Sequence, residues 1–178
     1  MNINKLNNHD DENIQSLNSN DANDENIQVN HTSYLAQNKA VIASSMIVRG
    51  GLSVDNSLTV GGIIYGDVDC RQRIDSKAGF EIHGNITADS FFAVGGLVEG
   101  NLLCHDRIEV DMGSRIKGKL EADSLILNGM IEGDVIAYSS VRLGMHSNVK
   151  GNIRTSSLIT DKGAIFNGSV ETLEKEKF

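Results

Sequence analysis

The 178-residue chain contains no proline and no tryptophan, only two cysteines, and aromatic residues make up just 4% of it. Without proline, every backbone amide can donate to a hydrogen-bonded ladder, which favours continuous sheet. With so few aromatics, a core must be built from valine, isoleucine and leucine, which suit pleated strands. These absences favour an all-β fold.

Basic residues are scarce as well, since 16 lysines and arginines stand against 24 acidic residues and the net charge is −8. Nucleic-acid binding depends on clustered cationic side chains, so we expect no nucleic-acid partner. There is no apolar run long enough to cross a bilayer, and Met1 to Leu6 form no apolar signal segment. We therefore expect a cytoplasmic protein.

What the chain does contain is a five-residue pattern, apolar-x-Gly-x-apolar, found eight times. Its central glycines, called the repeat glycines below, are Gly50, Gly66, Gly84, Gly100, Gly118, Gly133, Gly151 and Gly168. They lie 15 to 18 residues apart, about 17 on average. Self-similarity at a nearly fixed period is typical of a solenoid.

Period-2 alternation places the residues two before and two after each repeat glycine on one face, and all sixteen are apolar. A second strand follows in most repeats. The turn into the next repeat usually carries another glycine, namely Gly61, Gly79, Gly95, Gly113, Gly129 or Gly163. This pattern predicts a single-stranded parallel β-helix of about eight rungs, right-handed by the crossover rule, and roughly 35 to 40 Å long.

The expected organisation is an asparagine-rich acidic tail over residues 1–38, a β-helix over 39–172 and a short flexible tail over 173–178. The first tail is too poor in apolar residues to form a core and is predicted to be disordered. It carries a repeated motif, Glu12-Asn-Ile14-Gln15 and Glu25-Asn-Ile27-Gln28, which is either a docking motif or drift in a low-complexity segment.

The residues immediately before the repeat glycines should point outwards in one column. They are Arg49, Tyr65, His83, Glu99, Lys117, Glu132, Lys150 and Asn167. Stacking would bring the alternating charges from Glu99 to Lys150 side by side, which helps to fix the order of the rungs. We interpret this column as a solvated face.

A glycine-rich stretch, Gly113 to Lys119, matches a phosphate-binding loop except at its last position, where Leu120 replaces the required serine or threonine. Such a loop also needs a helix after it, whereas this stretch falls within the repeat pattern. We expect no nucleotide, no other cofactor and no enzymatic activity.

The histidines His83, His105 and His146 occupy three different places in their repeats, which argues against a shared metal site. Cys70 and Cys104 fall two rungs apart, roughly 9 to 10 Å, too far for a disulfide. We expect buried free thiols, no catalytic residue and no metal ligand.

Solenoids usually cover their terminal rungs, because an open rung exposes apolar side chains and unpaired backbone groups. Here neither end of the repeat region is followed by a convincing cap. We therefore expect the ends to stack on other copies and form an open filament. The predicted polymerisation contacts are Val41, Ile42, Met46 and Val48 at the N-terminal end, and Leu158, Ile159, Ile165, Phe166 and Val170 at the C-terminal end.

With its serial G-[ND]-[IVL] units and the terminal Gly163-Ala-Ile-Phe166-Asn-Gly168-Ser-Val170, the chain resembles the bactofilin family over about residues 39–172. The resemblance implies a right-handed β-helix with flexible tails, nucleotide-independent assembly into non-polar filaments, a polymerisation contact at Phe166, and scaffolding of envelope, peptidoglycan-related or cell-shape proteins. It also implies a position at the inner face of the membrane through a short N-terminal motif, of which Met1 to Leu6 is an asparagine-diluted version.

Two other interpretations stay open. A left-handed hexapeptide-repeat acyltransferase would be a trimer with a catalytic histidine between subunits, but it needs strict six-residue spacing, which these glycines do not follow. A β-helical partner-binding module would instead form a discrete dimer.

Overall fold

The structure is a computed structural model that describes residues 39–173. These residues form twenty short β-strands and, within that range, no helix. The predicted disordered tail, 1–38, and residues 174–178 lie outside the described residues, so the domain boundaries stay predictions. In chain order the strands are β1 (Ala40–Ile42), β2 (Ile47–Arg49), β3 (Leu52–Val54), β4 (Leu58–Val60), β5 (Ile63–Tyr65), β6 (Val68–Cys70), β7 (Arg73–Ser76), β8 (Glu81–His83), β9 (Ile86–Ala93), β10 (Leu97–Glu99), β11 (Leu102–Val110), β12 (Arg115–Lys117), β13 (Leu120–Leu127), β14 (Met130–Glu132), β15 (Val135–Leu143), β16 (Asn148–Lys150), β17 (Ile153–Thr155), β18 (Leu158–Thr160), β19 (Ile165–Asn167) and β20 (Val170–Thr172).

The strands wind into a solenoid with three faces. The first face is an eight-stranded sheet in the order β2-β5-β8-β10-β12-β14-β16-β19, and each of its strands ends just before a repeat glycine. The second face begins two residues after each repeat glycine, and the third face follows it. Long strands such as β11 and β13 cover both of these faces, with a register shift where they turn. The predicted parallel β-solenoid of about eight turns with a period of about 17 is confirmed, whereas its right hand stays a prediction.

The core consists of columns of inward side chains, one residue from each rung. The column two residues before the repeat glycines is completely buried from Ile64 to Val149. The column four residues after them contains the two free cysteines, which are buried as predicted. Burial raises the pKa of the Cys104 thiol to about 12, so its reactive thiolate form is suppressed.

The repeat glycines form a column of their own, in which each residue lies against the carbonyl oxygen of the glycine one rung earlier. A Cβ atom on Gly118 would overlap with the oxygen of Gly100, and the same holds for its equivalents from Gly66 to Gly168. Gly118 also has a φ of 145°, which side chains with a Cβ rarely adopt. Only glycine allows the rungs to approach this closely, which explains the repeat glycines from Gly66 to Gly168.

The corners between the third and first faces differ in length from rung to rung. Four-residue turns at 43–46, 77–80, 111–114, 144–147 and 161–164 are each closed by a backbone hydrogen bond from the fourth residue to the first. Shorter corners of two or three residues lie at 61–62, 94–96 and 128–129. All six predicted corner glycines lie in these turns. Glycine spacings of 18 residues contain a long corner and those of 15 or 16 a short one, whereas the last spacing, 17 residues, also contains a long corner.

Two equivalent serines in the long corners differ in their hydrogen bonding. The Ser114 hydroxyl accepts a hydrogen bond from the Gly95 amide at 2.8 Å, whereas the buried Ser147 hydroxyl has no partner among residues 39–173. Replacing Ser114 with alanine should lower the free energy of unfolding by about 0.5–1.5 kcal/mol, because the partly buried Gly95 amide loses its hydrogen bond. Ser147→Ala should leave it unchanged or raise it. Urea unfolding of both variants checks this expectation, and equal losses would contradict it.

Candidate polymerisation surfaces at the two ends of the solenoid

Three strands at each end of the solenoid pair on one side only. The N-terminal end face consists of β1, β2 and β3, which pair with β4, β5 and β6. The C-terminal end face consists of β18, β19 and β20, which pair with β15, β16 and β17. No described residue covers either edge with a helix. Unpaired edges of this kind are templates for further β-pairing.

At the C-terminal end face, core side chains lack a covering rung. Val170 is 48% exposed, although the same column is at most 1% exposed from Val68 to Ile153. Phe166 aligns with Val149 below it, and both Phe166 and Leu158 pack against the core while staying partly exposed. These three predicted contact residues therefore present the interior of the solenoid at its surface.

The N-terminal end face has the same character. Val48 is partly buried against the core, whereas the predicted contact Ile42 is buried, with 9% of its surface exposed. Leu52 and Val54 also lie partly buried in this face but are missing from the predicted contacts. The signal for both was in the sequence, since they stand two and four residues after Gly50 and belong to inward columns.

The remaining predicted contacts point to the flanks. Val41 lies between the inward Ala40 and Ile42. Ile159 follows the inward Leu158, and Ile165 precedes the inward Phe166. Together with Met46 they are 45–58% exposed. They therefore form the rims of the end faces. The two predicted sets lie at opposite ends of the solenoid, so they do not contact each other within one chain.

The polar column on the first face follows the predicted register in every rung. The Arg49 guanidinium lies 5.0 Å from the centre of the Tyr65 ring, which stacks on His83 at 4.9 Å. The Glu99 carboxylate then contacts His83 at 3.0 Å and Lys117 at 2.9 Å. Hydrogen bonds from Lys117 and His83 lower the pKa of Glu99. Of the three opposite-charge neighbours expected between Glu99 and Lys150, only Glu99 and Lys117 form an ion pair among residues 39–173. The charges therefore support the register of the rungs mainly at this point.

A second column, the asparagine ladder, lies one residue after the repeat glycines and was not identified from the sequence. The side-chain oxygens of Asp67, Asn85, Asn101, Asp134 and Asn152 each accept a hydrogen bond from the backbone N–H of the equivalent residue one rung later. The Asn85 amide donates to Asp67 at 2.7 Å, and the Asn101 amide donates to Asn85 at 3.1 Å. The ladder is interrupted at Lys119, whose side chain has no acceptor. The recurring Gly-Asn and Gly-Asp pairs were its signal.

Two other groups of residues considered in the sequence, the Gly113–Lys119 stretch and the histidines, are ordinary parts of the solenoid. Gly113 lies in a long corner, Gly118 is a repeat glycine, and a strand rather than a helix follows them, so this stretch lacks the geometry of a phosphate-binding loop. His83 belongs to the polar column, whereas His105 lies beside Asp89 at 3.3 Å on another part of the surface.

A comparison with known protein families gives a match. A family model described as bactofilin, polymer-forming cytoskeletal, matches residues 77–171, which include nearly the whole C-terminal end face. Comparisons with curated proteins and with solved structures give no match. In residues 39–173 there is no helix of the length and apolarity needed to span a membrane. The match covers more than half of the chain and confirms the resemblance seen in the sequence, so the chain belongs to the bactofilin family of polymer-forming cytoskeletal proteins.

Proposed function

We propose that the chain polymerises by stacking its end faces on those of other copies, without nucleotide, to form non-polar filaments. The observation that carries this proposal is the exposure of core columns at both ends, above all at Val170 and Phe166. Full burial of a large apolar side chain contributes about 1.5–3 kcal/mol. Several such residues on each end face, together with continued β-pairing, can offset the cost of association.

A non-polar filament needs two different contacts, one between two C-terminal end faces and one between two N-terminal end faces. Each contact is then two-fold symmetric, so a residue meets its own equivalent or a near neighbour. Apolar residues tolerate such self-pairing well, because they carry no like charges. The inward residues of both end faces, including Phe166, Leu158, Val48 and Leu52, meet this requirement.

In such a filament the three flanks of the solenoid stay accessible, while the ends are consumed by assembly. We propose that these flanks, with residues 1–38 and 173–178 as tails, localise envelope or peptidoglycan-related proteins at the inner face of the membrane. Family membership supports a structural role, because bactofilins are cytoskeletal proteins. Family membership also favours a structural role over the activity of an acyltransferase.

Sedimentation of the purified chain tests the proposed assembly. We expect it to pellet at high speed to the same extent in nucleotide-free buffer and in buffer with magnesium and ATP or GTP. The reason is that burial of apolar end faces requires no bound phosphate. A chain that stays in the supernatant as a dimer, or that pellets only with nucleotide, would contradict the proposal.

A further inference from the structure

A notch interrupts the edge between the third and first faces in the C-terminal half of the solenoid. It lies between the long corners 111–114 and 144–147, above the short corner formed by Asn128 and Gly129. Its volume is about 420 Å³. We call it the corner notch. It exists because one rung is recessed between two that protrude.

The corner notch differs from the equivalent place around Gly96. There the Phe80 ring lies so close to Gly96 that a Cβ atom would overlap with it, and Ala78 lies against Gly95. In the corner notch the corresponding space is bordered by Met112 and Met145, which are 61% and 58% exposed. Exposed methionines are flexible and polarisable, and proteins often use them to bind apolar side chains.

The charge of the corner notch is opposite to that of the whole chain. Arg115 and His146 line it and no carboxylate does, although the chain carries a net charge of −8. Arg115 is exposed and forms no ion pair within the described part of the chain. A fitting occupant therefore combines a branched or unbranched apolar side chain with a nearby carboxylate.

The chain itself contains such a segment twice, as Glu12-Asn-Ile14-Gln15 and Glu25-Asn-Ile27-Gln28. The second copy is close enough to reach the corner notch. From Gln28 to Lys39 the chain advances eleven residues, which span up to about 36–40 Å when extended. Lys39 lies at the start of the third face, so the corner notch is five rungs away along the solenoid, roughly 24 Å, and the three residues of β1, roughly 10 Å, across that face.

We propose that Glu25–Gln28 docks into the corner notch of its own chain, with Ile27 between Met112 and Met145 and Glu25 facing Arg115. The tail then covers the edge of the solenoid at the place where the rung recedes. This contact lies mainly on a flank, and it reaches the C-terminal end face only at its rim, where Gly163 and Ile165 also line the corner notch.

Disulfide trapping in the full-length chain tests this contact. Cysteines at Ile27 and Met145 should form a disulfide about tenfold faster than cysteines at Ile27 and Tyr138, under the same mild oxidant. Tyr138 is a matched control because it is 55% exposed and lies in the same rung on a different edge. The native cysteines are buried and have raised thiol pKa values, so they interfere little.

Adding Arg115→Gln to the Ile27–Met145 pair should slow trapping about two- to fivefold, as expected for the loss of an exposed ion pair. Circular dichroism shows whether each variant keeps its β structure. Equal trapping rates at Met145 and Tyr138 would overturn the proposal. So would a disulfide that forms only between two chains, or an Arg115→Gln variant that traps as fast as its parent.

Discussion

Replacing Phe166 with arginine should abolish long filaments and leave short soluble species. Phe166 is the last residue of a fully buried column, and it stays partly exposed because no rung covers it. In the free chain an arginine there can extend into water, so the fold should survive. In a stacked end face the same charge would be buried against its own equivalent, which costs several kcal/mol. Sedimentation velocity measures the outcome.

The size of the short species also reveals how the chains are arranged. If like ends meet, blocking the C-terminal end faces leaves dimers joined through their N-terminal end faces. If unlike ends meet, the same substitution leaves monomers. We expect dimers, which a second substitution, Val48→Arg, should convert to monomers.

Phe166→Leu is the matched control, because it keeps an apolar side chain at the end of the column. It should still form long filaments. Filaments of normal length from Phe166→Arg would show that Phe166 lies outside the polymerisation contact, even if the chain polymerises.

Replacing Gly118 with alanine should cause a large loss of folding stability, although it adds only one methyl group. The new Cβ would overlap with the backbone oxygen of Gly100, and the φ of 145° is unfavourable for alanine. Backbone strain of about 1–3 kcal/mol and overpacking of about 1–3 kcal/mol together lower the free energy of unfolding by about 2–6 kcal/mol. Urea unfolding in the Val48→Arg, Phe166→Arg background, which should be monomeric, measures this loss without interference from assembly.

Gly50→Ala is the control for this prediction. Gly50 also has a positive φ, 113°, but a Cβ there meets no atom within 4 Å because Gly50 begins the glycine column. Its loss should be limited to the backbone strain of about 1–3 kcal/mol. If both substitutions cost the same, close approach between the glycines is not what selects glycine in this column.

The sequence allowed much of the solenoid to be predicted because each inference could be checked against eight copies. The glycine spacing predicted the period, and the apolar residues on either side of Gly84 or Gly118 predicted the core columns. The same register predicted that Glu99 would lie beside Lys117, and they are 2.9 Å apart. Periodicity of this kind makes local patterns and the overall fold agree.

The inward residues of the end faces were predicted only in part, because residues were chosen for apolarity near the ends rather than for their position in a column. The polymerisation contacts themselves stay a prediction. Strand alternation would have assigned Val41 and Ile159 to the flanks and added Leu52 to the N-terminal end face. The corner notch was harder to foresee, since it depends on how three successive corners stack. The glycine spacings of 15 to 18 residues show that the rungs differ in length. Only the structure shows which part of each rung changes length.

The most direct test of end-to-end stacking is negative-stain electron microscopy of the purified chain in nucleotide-free buffer. A solenoid of eight rungs that stacks through like ends should give unbranched filaments whose axial repeat is two opposed chains, about 70–80 Å. Uniform dimers or trimers, with no filaments under these conditions, would contradict end-to-end stacking as the activity of this protein.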